Sequence, residues 1–238
     1  MRFSQRVRRH RRGVLRSSAG VTLIELVVVI GIIAALAAAA IPSISDMIER
    51  RRLQGFARDL GNMFQIARSQ AVRTGNYHIV FFGPLGTSDP AGTVLVDSSG
   101  DPVPLLILND GSPATANCHI DGGEDRETLP MPNQVAFGVS EATVKVPADT
   151  GTAAFSPPQA SGTTASDPSN NPTNWVLFRP DGIPVGFDPT STTCGTIGET
   201  GTGGAGLYVT SGGLDYAVTL APLGSVRVHA WNGGGWTQ

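Results

Sequence analysis

Glu25 is a carboxylate inside an apolar run, Val21-Thr22-Leu23-Ile24-Glu25-Leu26, that continues without charge to Ile41. An acid in such a segment costs up to about 2.5–3.5 kcal/mol if the segment enters a membrane, so it needs a partner. The nearest cation that chemistry could supply is a new α-amino group. A cut between Gly20 and Val21 would place that amine four residues from Glu25, or leave it for Glu25 of a neighbouring chain. Such a pair would set the axial register of one helix against another.

Other residue types offer weaker chemistry. His10, His78, His119 and His229 have no H-x-x-x-H spacing, and no G-x-S-x-G elbow or paired-carboxylate motif stands out. Gly201-Thr202-Gly203-Gly204-Ala205-Gly206 has the letters of a dinucleotide loop, but Leu207-Tyr208-Val209 after it reads as a strand where that motif needs a helix. Asp97, Asp101 and the run Asp121-Gly122-Gly123-Glu124-Asp125 could hold Ca²⁺ through oxygen ligands. They lack the EF-hand spacing and read first as solvated turns, so no cofactor or metal is expected. Cys118 and Cys194 are too few for a Cys-only zinc site, and His119 added to them leaves zinc short of a fourth ligand. A disulfide between them would stabilise a loop-rich region by roughly 4 kcal/mol; two buried thiols are the other reading.

The elements around these residues follow from charge and periodicity. Residues 1–20 carry seven Arg and no acid, whereas 76–238 carry four basic residues against fifteen acids, a net of −11. Arginines ahead of an apolar run hold the N-terminus in the cytoplasm and put the rest outside. The expected organisation is a basic leader at 1–20, a transmembrane helix at 21–41, an amphipathic stem helix at 42–75 and a β-rich head at 76–238. An ordinary secretory signal cut at Ala38-Ala39-Ala40 is the alternative, and Glu25 speaks against it.

Pro42 should kink the helix. Ile44, Met47, Ile48, Phe56, Leu60, Met63, Phe64, Ala67 and Ala71 then recur at helical steps until Thr74-Gly75-Asn76 ends the pattern. Strands are expected at Tyr77–Phe82, Thr93–Val96, Leu105–Leu108, Val135–Val139, Thr143–Val146, Trp175–Phe178, Leu207–Thr210, Tyr216–Leu220 and Val226–Ala230. The Gly/Pro/Ser/Thr-rich segments 147–174 and 188–206 are expected as long loops. The fold class is α+β, a long N-terminal helix packed on an antiparallel sheet.

Gly20 followed by Val21-Thr22-Leu23-Ile24-Glu25-Leu26-Val27-Val28-Val29-Ile30 resembles the type IV pilin and pseudopilin N-terminus. The resemblance implies cleavage by a prepilin peptidase after Gly20, N-methylation of Val21, a filament-assembly role for Glu25 and a helix kink at Pro42. Val21 departs from the usual Phe. The head resembles the GspH/FimT branch of the pseudopilins in Gln65-Ile66-Ala67-Arg68-Ser69-Gln70-Ala71, in Phe178-Arg179-Pro180-Asp181-Gly182, and in Val218-Thr219-Leu220 leading through Gly224 to Val226-Arg227-Val228.

That likeness implies a non-enzymatic minor pseudopilin near the tip of a type II secretion pseudopilus. Its partners would be other pseudopilins or pilins, prepilin peptidase and the bacterial inner membrane, which it would cross once with the head in the periplasm. The alternative is a minor type IV pilin that primes pilus assembly or displays a ligand- or DNA-binding tip. A DNA receptor should have a basic last hairpin, yet Asp215 opposes Arg227 and His229 there. The net charge of −11 also argues against counterion release on nucleic acid.

Overall fold

The computed structural model describes residues 20–157 and 162–238, save the side chains of 38–44 and 46. The basic leader therefore lies outside the described residues up to Gly20, and so does the side chain of Pro42. Helix α1 (Leu23–Thr74, 52 residues) is the only helix among the described residues and is continuous through position 42. Thr22 starts it: the Glu25 amide donates to Thr22 Oγ1 at 3.2 Å and the Leu26 amide to the Thr22 carbonyl at 3.1 Å. Thr-x-x-Glu is the pattern of a capping box, and an acid in the first turn suits the positive end of the helix dipole. Gly75, at φ 71°, ends the helix by donating its amide to Ala71 O at 3.0 Å.

The chain divides into two compact units, Met1–Ser45 and Asp46–Gln238. In the first, the large apolar side chains from Val21 to Leu36 are all exposed, by 46–81%. Among the described residues no helix is long and apolar enough to cross a membrane. The described uncharged run, Leu26–Ala37, has 12 residues against about 20 needed. The expected span at 21–41 runs on into positions whose side chains lie outside the description.

In the second unit, α1 buries Leu53, Phe56, Ala57, Leu60, Met63, Phe64, Ala67 and Ala71. The steps of three and four make one face. Met47 and Ile48, expected on that face, are instead 46% exposed. Glu49 Oε1 accepts from Ser211 Oγ at 3.1 Å, and among the described apolar side chains of this helix burial begins one turn later, at Leu53.

Among the described residues twelve strands follow: β1 (His78–Phe82), β2 (Leu105–Asn109), β3 (Arg126–Leu129), β4 (Ala136–Phe137), β5 (Trp175–Phe178) and β6 (Pro184–Val185). Then come β7 (Phe187–Asp188), β8 (Thr196–Ile197), β9 (Ala205–Ser211), β10 (Leu214–Leu220), β11 (Val226–Trp231) and β12 (Trp236–Thr237). They form two five-stranded sheets, β3-β2-β1-β5-β6 and β12-β11-β10-β9-β4, and a β7-β8 pair. All named pairings are antiparallel.

The helix covers Val80, Phe82, Ile107 and Phe178 of the first sheet and Leu207, Val209, Val218 and Leu220 of the second. The opposite faces are buried too. Ile79, Phe81, Leu106, Leu108 and Leu177 pack with Leu95, Val103, Ile120 and Phe187; Tyr208 and Ala217 pack with Val139, Ala142 and Val146. Covering both faces is why the strands read as continuous apolar runs and not as alternation.

Several expected elements differ. Thr93–Val96 makes only single bridges, Ser88 to Val94 and Val96 to Pro102. Thr143–Val146 is no strand; it caps the second sheet, with Trp236 Nε1 donating to Val144 O at 2.7 Å. Within the expected loop 147–174, Thr163 bridges Leu207 and Ser166 bridges Pro172, and β8 interrupts 188–206.

Candidate processing and assembly site

Gly20 and Val21 precede the first helical turn and are exposed, Val21 by 71%. A Cβ at Gly20 would meet nothing within 4 Å, so among the described residues none crowds that position. Glu25 is exposed in the first turn, with its amide held by Thr22. Val21, Thr22, Leu23 and Glu25 thus form a short non-helical lead-in and a capped helix start. A carboxylate there could meet an amine at its own chain end, were the chain cut after Gly20, or on a neighbour. Thr22 is the residue that sequence reasoning passed over; Thr-x-x-Glu ahead of an apolar run was the available signal.

The head segments singled out in the sequence converge on Arg68. Its Nη1 donates to Gly224 O at 3.2 Å. Gly224 has φ 84°, and a Cβ there would stand 3.1 Å from Arg68 Nε and 3.2 Å from Gly182 O. The Asp181-Gly182 turn therefore packs beside the guanidinium, and Arg179 pairs with Asp181 within it. This meeting point is a packing junction between α1, the turn before β6 and the turn before β11.

Cys118 and Cys194 are joined as a disulfide with Cα atoms 4.8 Å apart. The bond lies against the outer face of the first sheet, among Ile79, Leu108 and Leu177. Asp110 supports one arm, its Oδ2 accepting the Cys118 amide at 2.7 Å. Burial pushes the Asp110 carboxyl up, against the lowering effect of the Cys118 and Asn117 amides. His119 Nε2 sits 2.8 Å from Thr190 O, linking the two arms a second time. Asp110, Cys118 and Cys194 form the group of metal-ligand types that comes together among the described residues. Its sulfurs are bonded to each other and are not thiolates.

The remaining candidates make the following contacts. Asp97 caps its own turn, accepting the Ser99 and Asp101 amides at 2.8 and 3.0 Å, and Glu124 accepts the Asp121 amide at 2.7 Å. The Gly201–Gly206 run leads into strand β9, so it presents no helix start to a phosphate. Asp215 does not face Arg227 as the charge count suggested. It is buried and accepts from the Ser140 amide and hydroxyl and from the Glu141 and Ala142 amides, all at 2.7–2.9 Å. Burial raises its pKa, but donors around it, the Thr210 hydroxyl and these amides, outweigh that and hold it below the usual carboxylate value. His229 is depressed by burial and by the charge of Arg227.

Residues 15–41 match the prokaryotic N-terminal methylation motif. This is a type IV pilin-like signal, and it contains Gly20, Val21, Glu25 and the exposed apolar turns that follow. The match covers 27 of 238 residues. No curated protein and no solved structure matches the chain.

Proposed function

We propose that the chain is a non-enzymatic minor pseudopilin, a tip-proximal subunit of a type II secretion pseudopilus that is cut after Gly20, methylated on Val21 and assembled through Glu25. The observation that carries this reading is the methylation motif at 15–41. The exposed apolar side chains from Val21 to Leu36 support it, because they need lipid or neighbouring helices to cover them. In this reading the helix anchors the chain in the inner membrane, the head stands in the periplasm, and prepilin peptidase and other pilin-like subunits are the partners.

Secretion is preferred to a DNA-binding pilus tip because the head carries a net −11 and its last hairpin offers Arg227 beside a depressed His229. Intact-mass analysis of membrane-extracted protein is expected to give a chain starting at methylated Val21. A mature chain starting at Ile41 would refute the processing step. Glu25→Ala is expected to insert into the membrane and yet be lost from assembled fibres; normal incorporation would refute the registry role.

A further inference from the structure

The edge of the second sheet carries an unfilled strand position. β12 pairs only with Ala230 and Trp231 of β11, leaving Val226–His229 without an outer neighbour among the described residues. The direction of each backbone group there follows from the ladder. The Ala221 amide bonds Ser225 O at 2.8 Å, so with Thr219 opposite Arg227 and Ala217 opposite His229, those residues point their amides and carbonyls inward to β10. On the other side the Asn232 amide bonds Gly235 O at 3.1 Å, which makes Ala230 and Thr237 the next bonded pair. Both ladders give the same parity: Val226 and Val228 direct their N–H and C=O groups outward, at an edge where no described residue receives them.

The side chains around that edge are equally specific. Val226 and Val228 turn towards α1, their methyls 3.5 Å from where a Gly61 Cβ would stand. Beside them a cavity of about 230 Å³ is lined by Arg58, Asn62 and Gln65. Arg227 is exposed on the other face, and opposite-charge pairs directly across two strands are favourable while like charges are not. Pairing of this edge with itself in a second copy, Val226 opposite Val228, would set Arg227 against Arg227. Another sheet edge, β3, has Glu127 at its centre, but that carboxylate already accepts Gln70 Nε2 at 3.1 Å.

We infer that the β11 edge is a strand-addition site for an extended segment of another protein, with a carboxylate opposite Arg227 and small apolar side chains facing the α1 groove. Main-chain bonds to Val226 and Val228 would hold the segment, and Arg227 would select its charge. This goes beyond the assembly role of the N-terminal helix and does not depend on it.

The test uses the full chain in detergent micelles and two blocked pentapeptides, threonine-valine-glutamate-valine-threonine and its lysine counterpart. Amide exchange is read by NMR. In the free protein the Val226 and Val228 amides should exchange fast, and those of Arg227 and His229 slowly. The glutamate peptide should protect Val226 and Val228 and bind about two- to fivefold more tightly than the lysine peptide. Arg227→Glu should reverse that order while leaving the two valine amides protectable. Failure of the glutamate peptide to bind, binding without protection of Val226 and Val228, or a peptide preference unchanged by Arg227→Glu would overturn the inference. So would concentration-dependent self-association that itself protects these two amides, which would give the edge to a second copy.

Discussion

Asp215→Asn tests whether one buried carboxylate fixes the loop that covers the second sheet. Asp215 is 1% exposed; its Oδ1 accepts the Ser140 amide and hydroxyl at 2.9 Å each, and its Oδ2 accepts the Glu141 and Ala142 amides at 2.7 Å each. In asparagine one of these oxygens becomes an NH₂ donor. If it replaces Oδ2, two amides lose their acceptor. If it replaces Oδ1, only the Ser140 amide does, because the hydroxyl can turn to accept. The second orientation is the cheaper one. One orphaned buried donor costs about 1–3 kcal/mol, and the remaining bonds lose their charge assistance, for a total of about 2–4 kcal/mol at neutral pH.

The pH dependence has a fixed sign. The folded-state value of Asp215 lies below its ordinary 3.8, so its contribution is complete above about pH 4 and is lost as pH falls through the folded value. Urea unfolding followed by tryptophan fluorescence suits the measurement, since Trp231 and Trp236 pack on the same cluster as Val139, Ala142 and Val146. The difference between wild type and Asp215→Asn should be about 2–4 kcal/mol at pH 7 and shrink steadily below pH 4. A difference under about 1 kcal/mol at pH 7, or one that does not change on acidification, would refute the carboxylate account.

Two further outcomes follow from the head. Unfolded, unreduced protein should show no free thiols, and Cys118→Ala with Cys194→Ala should destabilise the head by roughly 4 kcal/mol, given the sequence separation of 76; urea midpoints with and without reductant measure it, and a midpoint unmoved by reductant counts against it. Gly224→Ala should cost about 1–3 kcal/mol, because a side chain at φ 84° is strained and its Cβ crowds Arg68 and Gly182 O; a thermal midpoint within a degree of wild type would show that the junction yields.

Much of this molecule is written in local sequence. The run from Val21 to Ile41 and the lone Glu25 within it are one-dimensional features, and a peptidase signal of this kind needs no tertiary fold to be recognised. Helix α1 was legible because three- and four-residue steps persist from Phe56 to Ala71, and β1, β2, β5, β9, β10 and β11 because buried strands are dense in β-branched and aromatic residues.

Tertiary structure decided what pairing and distance decide. Strand β3 reads Arg-Glu-Thr-Leu and has no apolar signal; it exists because β2 offers it a ladder. The Thr143–Val146 segment had strand-like composition but found no partner and became a cover for Tyr208. Burial of Met47 and Ile48 failed for the complementary reason: helical periodicity gives a face but not the point where the sheets begin to cover it. Asp215 was a unit of charge in the sequence and became a four-fold acceptor, because the loop at Ser140–Ala142 reaches it across 73 to 75 positions. The meeting of Arg68 with Gly182 and Gly224, and of Cys118 with Cys194, has the same origin. Chain order records which residues exist, while closure of long loops by burial and hydrogen bonding determines which of them touch.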